Sequence, residues 1–129
     1  MTASRTHRRQ DTETYIVDKE RIDTLLDALE DQDCRTILEA ASGQALSAAE
    51  LSEACDLPLS TTYRKVDQLA DAGLLEEQVR LSRSGKHTNE YILGVENVQF
   101  SVDPDDGIAL QVSHRSEPEL SGSILAGAD

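Results

Sequence analysis

Apolar positions along the chain follow two regimes, with the change at Gly73. Before it they recur every three or four residues, the spacing of a helix with one buried face. Ile22, Leu25, Leu26 and Leu29 make one such stripe, which predicts a helix over 18–29 with Asp18 as its cap. Cys34, Ile37, Leu38 and Ala41 make a second, over 31–41, with Asp31 as cap and Gly43 as stop. A third, short helix over 48–55 turns Leu51, Ala54 and Cys55 inward. Ser47-Ala48-Ala49-Glu50 announces it as a capping box, in which Ser and Glu three residues apart satisfy each other's backbone donors. Pro58 then forbids a continuous helix. The fourth helix, over 61–72, is expected to be capped by Ser60 and ended by Gly73. It has Thr62, Val66 and Leu69 at core spacing, and Tyr63, Arg64, Lys65 and Gln68 fall largely outside that stripe.

After Gly73 the period shortens to two. Residues 74–82 and 87–94 read as strands about the turn Arg83-Ser84-Gly85-Lys86. Val98, Phe100 and Val102 alternate over 97–102, and Ile108, Leu110 and Val112 over 108–113. Asp103-Pro104-Asp105-Asp106-Gly107 is the turn between these two strands. The ends carry no pattern. Residues 1–14 read as a disordered basic arm with Arg5, Arg8 and Arg9, and 114–129 as a flexible tail. The expected organisation is arm 1–14, folded domain 15–95, hairpin extension 96–113 and tail 114–129. The fold class is α+β, mainly helical.

A chain of 129 residues holds one domain with a core, not two. No run approaches the ~18 apolar residues of a membrane span. No apolar stretch follows Arg9, so no secretory signal is expected. Two cysteines, Cys34 and Cys55, make no disulfide framework, and the chain reads as cytoplasmic with free thiols. There is no phosphate-binding glycine loop, nucleophile elbow or paired-histidine motif, so neither an enzyme nor a cofactor is expected. His7, His87, His114 and the cysteines lack metal-ligand spacing, so no metal is expected either.

Charge sharpens the picture. Acidic residues outnumber basic ones 25 to 12, for a net charge of −13. The acids are spread through the periodic segments rather than gathered in a tail. With nine Arg, three Lys and 3% aromatics, the composition suits a very salty cytoplasm. There the Debye length falls to ~3 Å and like charges barely repel. The excess is not uniform. Residues 60–90 hold five basic and five acidic groups, so the whole −13 lies elsewhere.

Two helices joined by a tight turn, the second with an exposed polar face, followed by a hairpin with a basic tip, have the organisation of a winged helix-turn-helix. The stretches LEDQDCRTIL (29–38), AELSEAC (49–55), PLSTTYRKVDQLADAGLL (58–75) and RSGKHTNEYIL (83–93) carry a closer likeness. Through them the chain resembles winged helix-turn-helix transcription regulators of the ArsR-like superfamily, particularly those of halophilic archaea, over roughly residues 18–95. The resemblance implies a regulator that binds double-stranded DNA as a homodimer. Ser60 would cap the recognition helix near a phosphate. Thr61, Tyr63, Arg64 and Lys65 would face the groove with Gln68 next along that side, and Arg83, Lys86 and His87 would serve the wing. Metal-sensing relatives carry closely spaced cysteines that are absent here. Two other readings stand beside this one: a protein-interaction module of a transcription complex with a basic partner, and a thiol redox switch through Cys55. Many relatives pair through a helix after the wing. Here that region reads as strands, so dimerisation falls to the helix at 18–29 or to strands added across chains; alternatively, this hairpin only extends the wing sheet.

Salt adaptation has a direct test. The melting temperature of the purified protein is expected to climb steadily as KCl rises from millimolar to molar. Full stability at low salt would count against it.

Overall fold

The computed structural model describes residues 12–105 and 107–115. Its elements run β1 (Thr12–Ile16), α1 (Lys19–Glu30), α2 (Gln32–Ala40), β2 (Leu46–Ser47), α3 (Ala48–Cys55), α4 (Leu59–Asp71), β3 (Leu75–Leu81), β4 (His87–Leu93), β5 (Val95–Asp103) and β6 (Gly107–His114). This is a winged helix-turn-helix of four helices with two small antiparallel sheets, ordered β2-β4-β3 and β1-β6-β5.

The helices start and stop where side chains can satisfy the backbone. Asp18 accepts from the Arg21 amide at 3.1 Å and opens α1. Asp31 ends α1 and begins α2: its amide donates to Ala28 O at 3.3 Å and its carboxylate accepts from the Cys34 amide at 3.0 Å. The Arg35 guanidinium covers the carbonyls of Leu29 and Glu30, at 2.8 and 2.7 Å, that the end of α1 leaves open. Ser47 and Glu50 form the expected capping box on α3. The turn that follows passes through Asp56 at φ 57°, a left-handed conformation that Asp tolerates better than most residues. At the end of α4, Gly73 sits at φ 80°, its amide donating to Ala70 O and that of Leu74 to Leu69 O. That paired arrangement closes a helix on a left-handed glycine.

Two helix ends differ from expectation. Ser60 is no cap: α4 begins two residues earlier than expected, after Pro58, which has the fixed φ of a helix entry and offers no side-chain bond. The buried Thr62 hydroxyl donates to Pro58 O at 3.0 Å instead. Nor does Gly43 end α2. The helix closes at Ala40, and the Ala41 carbonyl turns to accept the Leu93 amide at 3.0 Å.

One core joins helices and strands. Leu25, Ile37, Leu51, Val66, Leu69 and Leu74 are fully enclosed and pack with Ile16, Leu110 and Val112 from the second sheet. Each such side chain contributes about 1.5–3 kcal/mol by leaving water. Two strands escape periodicity. β2 has two residues and cannot show a period, yet it pairs Leu46 with Tyr91 and Ser47 with Glu90. β1 takes in Thr12–Thr14 from the segment read as arm and pairs with β6, Ile16 opposite Leu110 and Thr12 opposite His114. Thr14 Oγ1 and His114 Nε2 lie 2.9 Å apart across that pair. Arg5, Arg8 and Arg9 of the arm, and the tail after Arg115, lie outside the described residues.

Gly94 links the two sheets. Its amide donates to Leu74 O at 2.9 Å and its carbonyl accepts from the Arg115 amide at 3.0 Å. A Cβ there would come within 2.9 Å of the Glu76 side chain.

The role of β1 is measurable. Ile16→Ala is expected to cost about 2–4 kcal/mol in urea unfolding, as a core truncation does. A cost near zero would return Ile16 to the arm.

Candidate nucleic-acid interface

Residue spacing on α4 sorts its side chains into three faces. Thr62, Val66 and Leu69 are buried. Ser60, Tyr63, Arg64 and Asp67 lie exposed on the opposite side. Thr61, Lys65 and Gln68 are half-buried on the flank between. The flank is engaged with α2. The Lys65 ammonium pairs with the Asp31 carboxylate and leaves its side chain only 14% exposed. Gln68 Oε1 accepts from the Cys34 thiol at 3.7 Å. The structure therefore sets Lys65 and Gln68 apart from the open face on which Tyr63 and Arg64 stand. Lys65 holds the Asp31 carboxyl below its ordinary range, first by hydrogen bonding and with help from the Cys34 amide.

The wing is β3, the turn and β4, with Leu75 opposite Leu93 and Leu81 opposite His87. Gly85 takes φ 86° at the tip, and the Ser82 amide closes the turn on Lys86 O at 3.1 Å. Arg83, Lys86 and His87 are all exposed there. Tyr63, from α4, and His87, from the wing, line one notch of about 260 Å³ that also takes in Ser47, Ala49, Asn89 and Tyr91. The helix and the wing thus open onto a common surface. Burial, and then Glu77, Asp67 and Tyr63 around it, push the Tyr91 hydroxyl up.

A carboxylate network ties this wing to α3. Arg80 Nε donates to Glu90 at 2.6 Å, and its two terminal nitrogens donate to Glu50 at 2.9 and 3.3 Å. Gln78 donates to the other Glu90 oxygen at 2.8 Å. Glu50 is also the capping-box acid, accepting from the Ser47 amide at 2.9 Å. The Arg80 guanidinium, followed by that amide, lowers the Glu50 carboxyl to about 2. Arg80, a cation counted within the neutral 60–90 segment, is thus spent on the protein itself. Among the described residues, Arg64, Arg83 and Lys86 hold no ion pair. Asp67, which sequence reasoning did not single out, shares the open face of α4. Its three- and four-residue spacing from Arg64 and Tyr63 was the available signal.

Burial raises the Cys34 thiol to about 11 and pushes the Cys55 thiol up as well, so both favour the unreactive protonated form. Among the described residues no group of three or more His, Cys, Asp or Glu could hold a metal, and no helix is long and apolar enough to cross a membrane.

Residues 25–78 match the family model of a helix-turn-helix domain. Among solved structures, the chain is similar to the homodimeric winged helix-turn-helix DNA-binding domain of Mb0332 from Mycobacterium bovis, a possible ArsR-family transcriptional regulator. Identity is 18% and the TM-score 0.48, with 57% of this chain and 64% of that one covered. It is also similar to a possible transcriptional regulator from Methanosarcina mazei, at 20% identity and TM-score 0.45, covering 56% of this chain and 63% of that one. This chain thus spans a little under two thirds of each. No curated protein matches it.

The wing tether gives a pH prediction. A carboxyl lowered from its ordinary 4.5 to about 2 stabilises the fold above pH 4.5, and that contribution is lost as pH falls toward 2. The melting-temperature gap between wild type and Glu50→Gln is therefore expected to be largest near neutral pH and to shrink through that window. A gap that stays constant would show that the ionised pair contributes nothing.

Proposed function

We infer that this protein is a sequence-specific, double-stranded DNA-binding transcription regulator that acts as a homodimer on an inverted repeat. One observation carries the reading. The exposed face of α4, with Tyr63 and Arg64, opens onto the same surface as a wing tip bearing Arg83, Lys86 and His87. Among the described residues the Arg and Lys side chains there hold no ion pair, in a chain whose net charge is −13. The helix-turn-helix match over 25–78 supports it.

In this mechanism α4 enters the major groove, where base edges present a distinct donor and acceptor pattern. Arg64 reads a guanine edge with two hydrogen bonds. Tyr63, Thr61 and Ser60 contact neighbouring bases or phosphates. Arg83 and Lys86 contact the backbone, with His87 beside them. Lys65 and Gln68 act from behind, fixing α4 against α2. Two such units related by a two-fold axis read half-sites one helical turn apart. Repression by occupying a promoter is the simplest outcome. Long-range attraction is weak for so acidic a protein, so base contacts and packing supply more of the affinity than counterion release does. Binding therefore tolerates molar KCl.

A second reading has one observation in its favour. Asp67 on the open face of α4 would suit a basic protein partner rather than a phosphate. One experiment separates the two: selection of bound fragments from a genomic library in molar KCl, followed by variants. A few promoter fragments sharing an inverted repeat are expected. Arg64→Ala should then weaken binding about tenfold or more and relax specificity at one position. Lys86→Ala should weaken all sequences alike and reduce the salt slope by about one. Folded protein that enriches no fragment would overturn the DNA reading in favour of the interaction module.

A further inference from the structure

Among the described residues, the second sheet leaves one long edge open. Its order is β1-β6-β5, so β1 and β5 are its edges. β1 is five residues long and carries Glu13, and β3 at the wing edge carries Glu76, Glu77 and Arg80. β5 is different. It is nine residues long and its stretch Asn97–Val102 has no charge and no proline. Uncharged apolar edge strands pair with other chains unless they are blocked.

The face tells the same story. Residues opposite each other in antiparallel strands share a face, so Val98, Phe100 and Val102 lie with Val112, Leu110 and Ile108. At one end this face packs on the core through Val98, Leu110 and Val112. At the other it runs past the helices, leaving Phe100 54%, Val102 68% and Ile108 45% exposed. The apolar face is continuous with the core but outreaches it.

We propose that the β5 edge is where a second copy of this chain pairs, joining two sheets into one six-stranded sheet; this rests on the homodimer reading and gives it an interface. The sequence Val98-Gln99-Phe100-Ser101-Val102 has the same apolar–polar–apolar order in both directions. A two-fold axis through Phe100 therefore sets Phe100 opposite Phe100 of the second copy, Val98 opposite its Val102, and Gln99 opposite its Ser101. Apolar residues meet apolar ones on one face, and uncharged polar ones meet on the other. Asp103 falls opposite Asn97, and Glu96 lies outside the Val98–Val102 pairing, so no like charges are opposed. Such self-complementarity is what a two-fold interface requires. It also selects the occupant. A partner recognised by charge would be drawn to the acidic surface, whereas the Asn97–Val102 strip is free of charge and two −13 chains meet along it with their acids only at its ends.

Cross-linking reads the register directly. Across the axis the two Phe100 Cα atoms lie about 4.5–5.5 Å apart, within disulfide reach, while two Ile108 Cα atoms lie about 20 Å apart. In molar KCl at tens of micromolar, light scattering should give roughly twice the 14.1 kDa chain mass. Under mild oxidation Phe100→Cys should form covalent dimer at least about tenfold faster than Ile108→Cys or wild type, whose own Cys34 is enclosed. Phe100→Asp, with an unchanged far-ultraviolet spectrum, should run as a monomer. A stable dimer in which Phe100→Cys links no faster than Ile108→Cys would overturn this interface and leave the homodimer reading intact. A wild-type monomer throughout would overturn the homodimer itself.

Discussion

Asp31 is the residue on which the arrangement of helices depends. Its amide closes α1 on Ala28 O, one carboxylate oxygen caps α2 at the Cys34 amide, and the other takes the Lys65 ammonium from α4. α1 and α2 are thereby joined through a single residue, and the helix that presents the open face is fastened to the same point. An apolar core fixes how closely helices approach but is tolerant of rotation. A residue with three directed partners is not. The outward aim of Tyr63 and Arg64 follows from Lys65 being held inward.

The same economy recurs at the wing. Glu50 begins α3 and also receives Arg80 from β3, while Glu90 receives Arg80 from the neighbouring strand. A chain with twice as many acids as bases has carboxylates to spare for its joints. Cations close to a joint are consumed there. Among the described residues, the cations outside these joints include Arg64 on the open side of α4 and Arg83 and Lys86 at the wing tip, besides Lys19 and Arg21 on α1.

Most of this architecture is legible in the sequence because its signals are local. Asp18, Asp31 and Ser47 announce helix starts, Gly73 a stop, and the shift from a period near 3.6 to a period of two marks the passage from helices to hairpins. What sequence reasoning missed is non-local. β2 is too short for a pattern, and β1 is a strand only because β6, about a hundred residues later, supplies its partner. The site divides in the same way. Spacing alone places Lys65 and Gln68 among the polar residues of α4. That they face Asp31 and Cys34 depends on how α2 crosses α4, which no helix records by itself. Ser60 resembles a cap by composition, but the fixed φ of Pro58 had already determined where the helix begins.

The joint at Gly94 adds a property of a different kind. A single residue separates β4 from β5, and both of its backbone polar groups are bonded, one to Leu74 at the end of α4 and one to Arg115 at the end of the second sheet. The wing and the terminal sheet are thus joined at one residue by two backbone hydrogen bonds. If two copies meet through their terminal sheets, the distance between their recognition helices is a fixed gauge set by the fold and not by a pliable linker. On the proposed function, such a dimer would measure DNA as well as read it. Two half-sites with the right letters at the wrong separation would present a rigid caliper with a gap it cannot span.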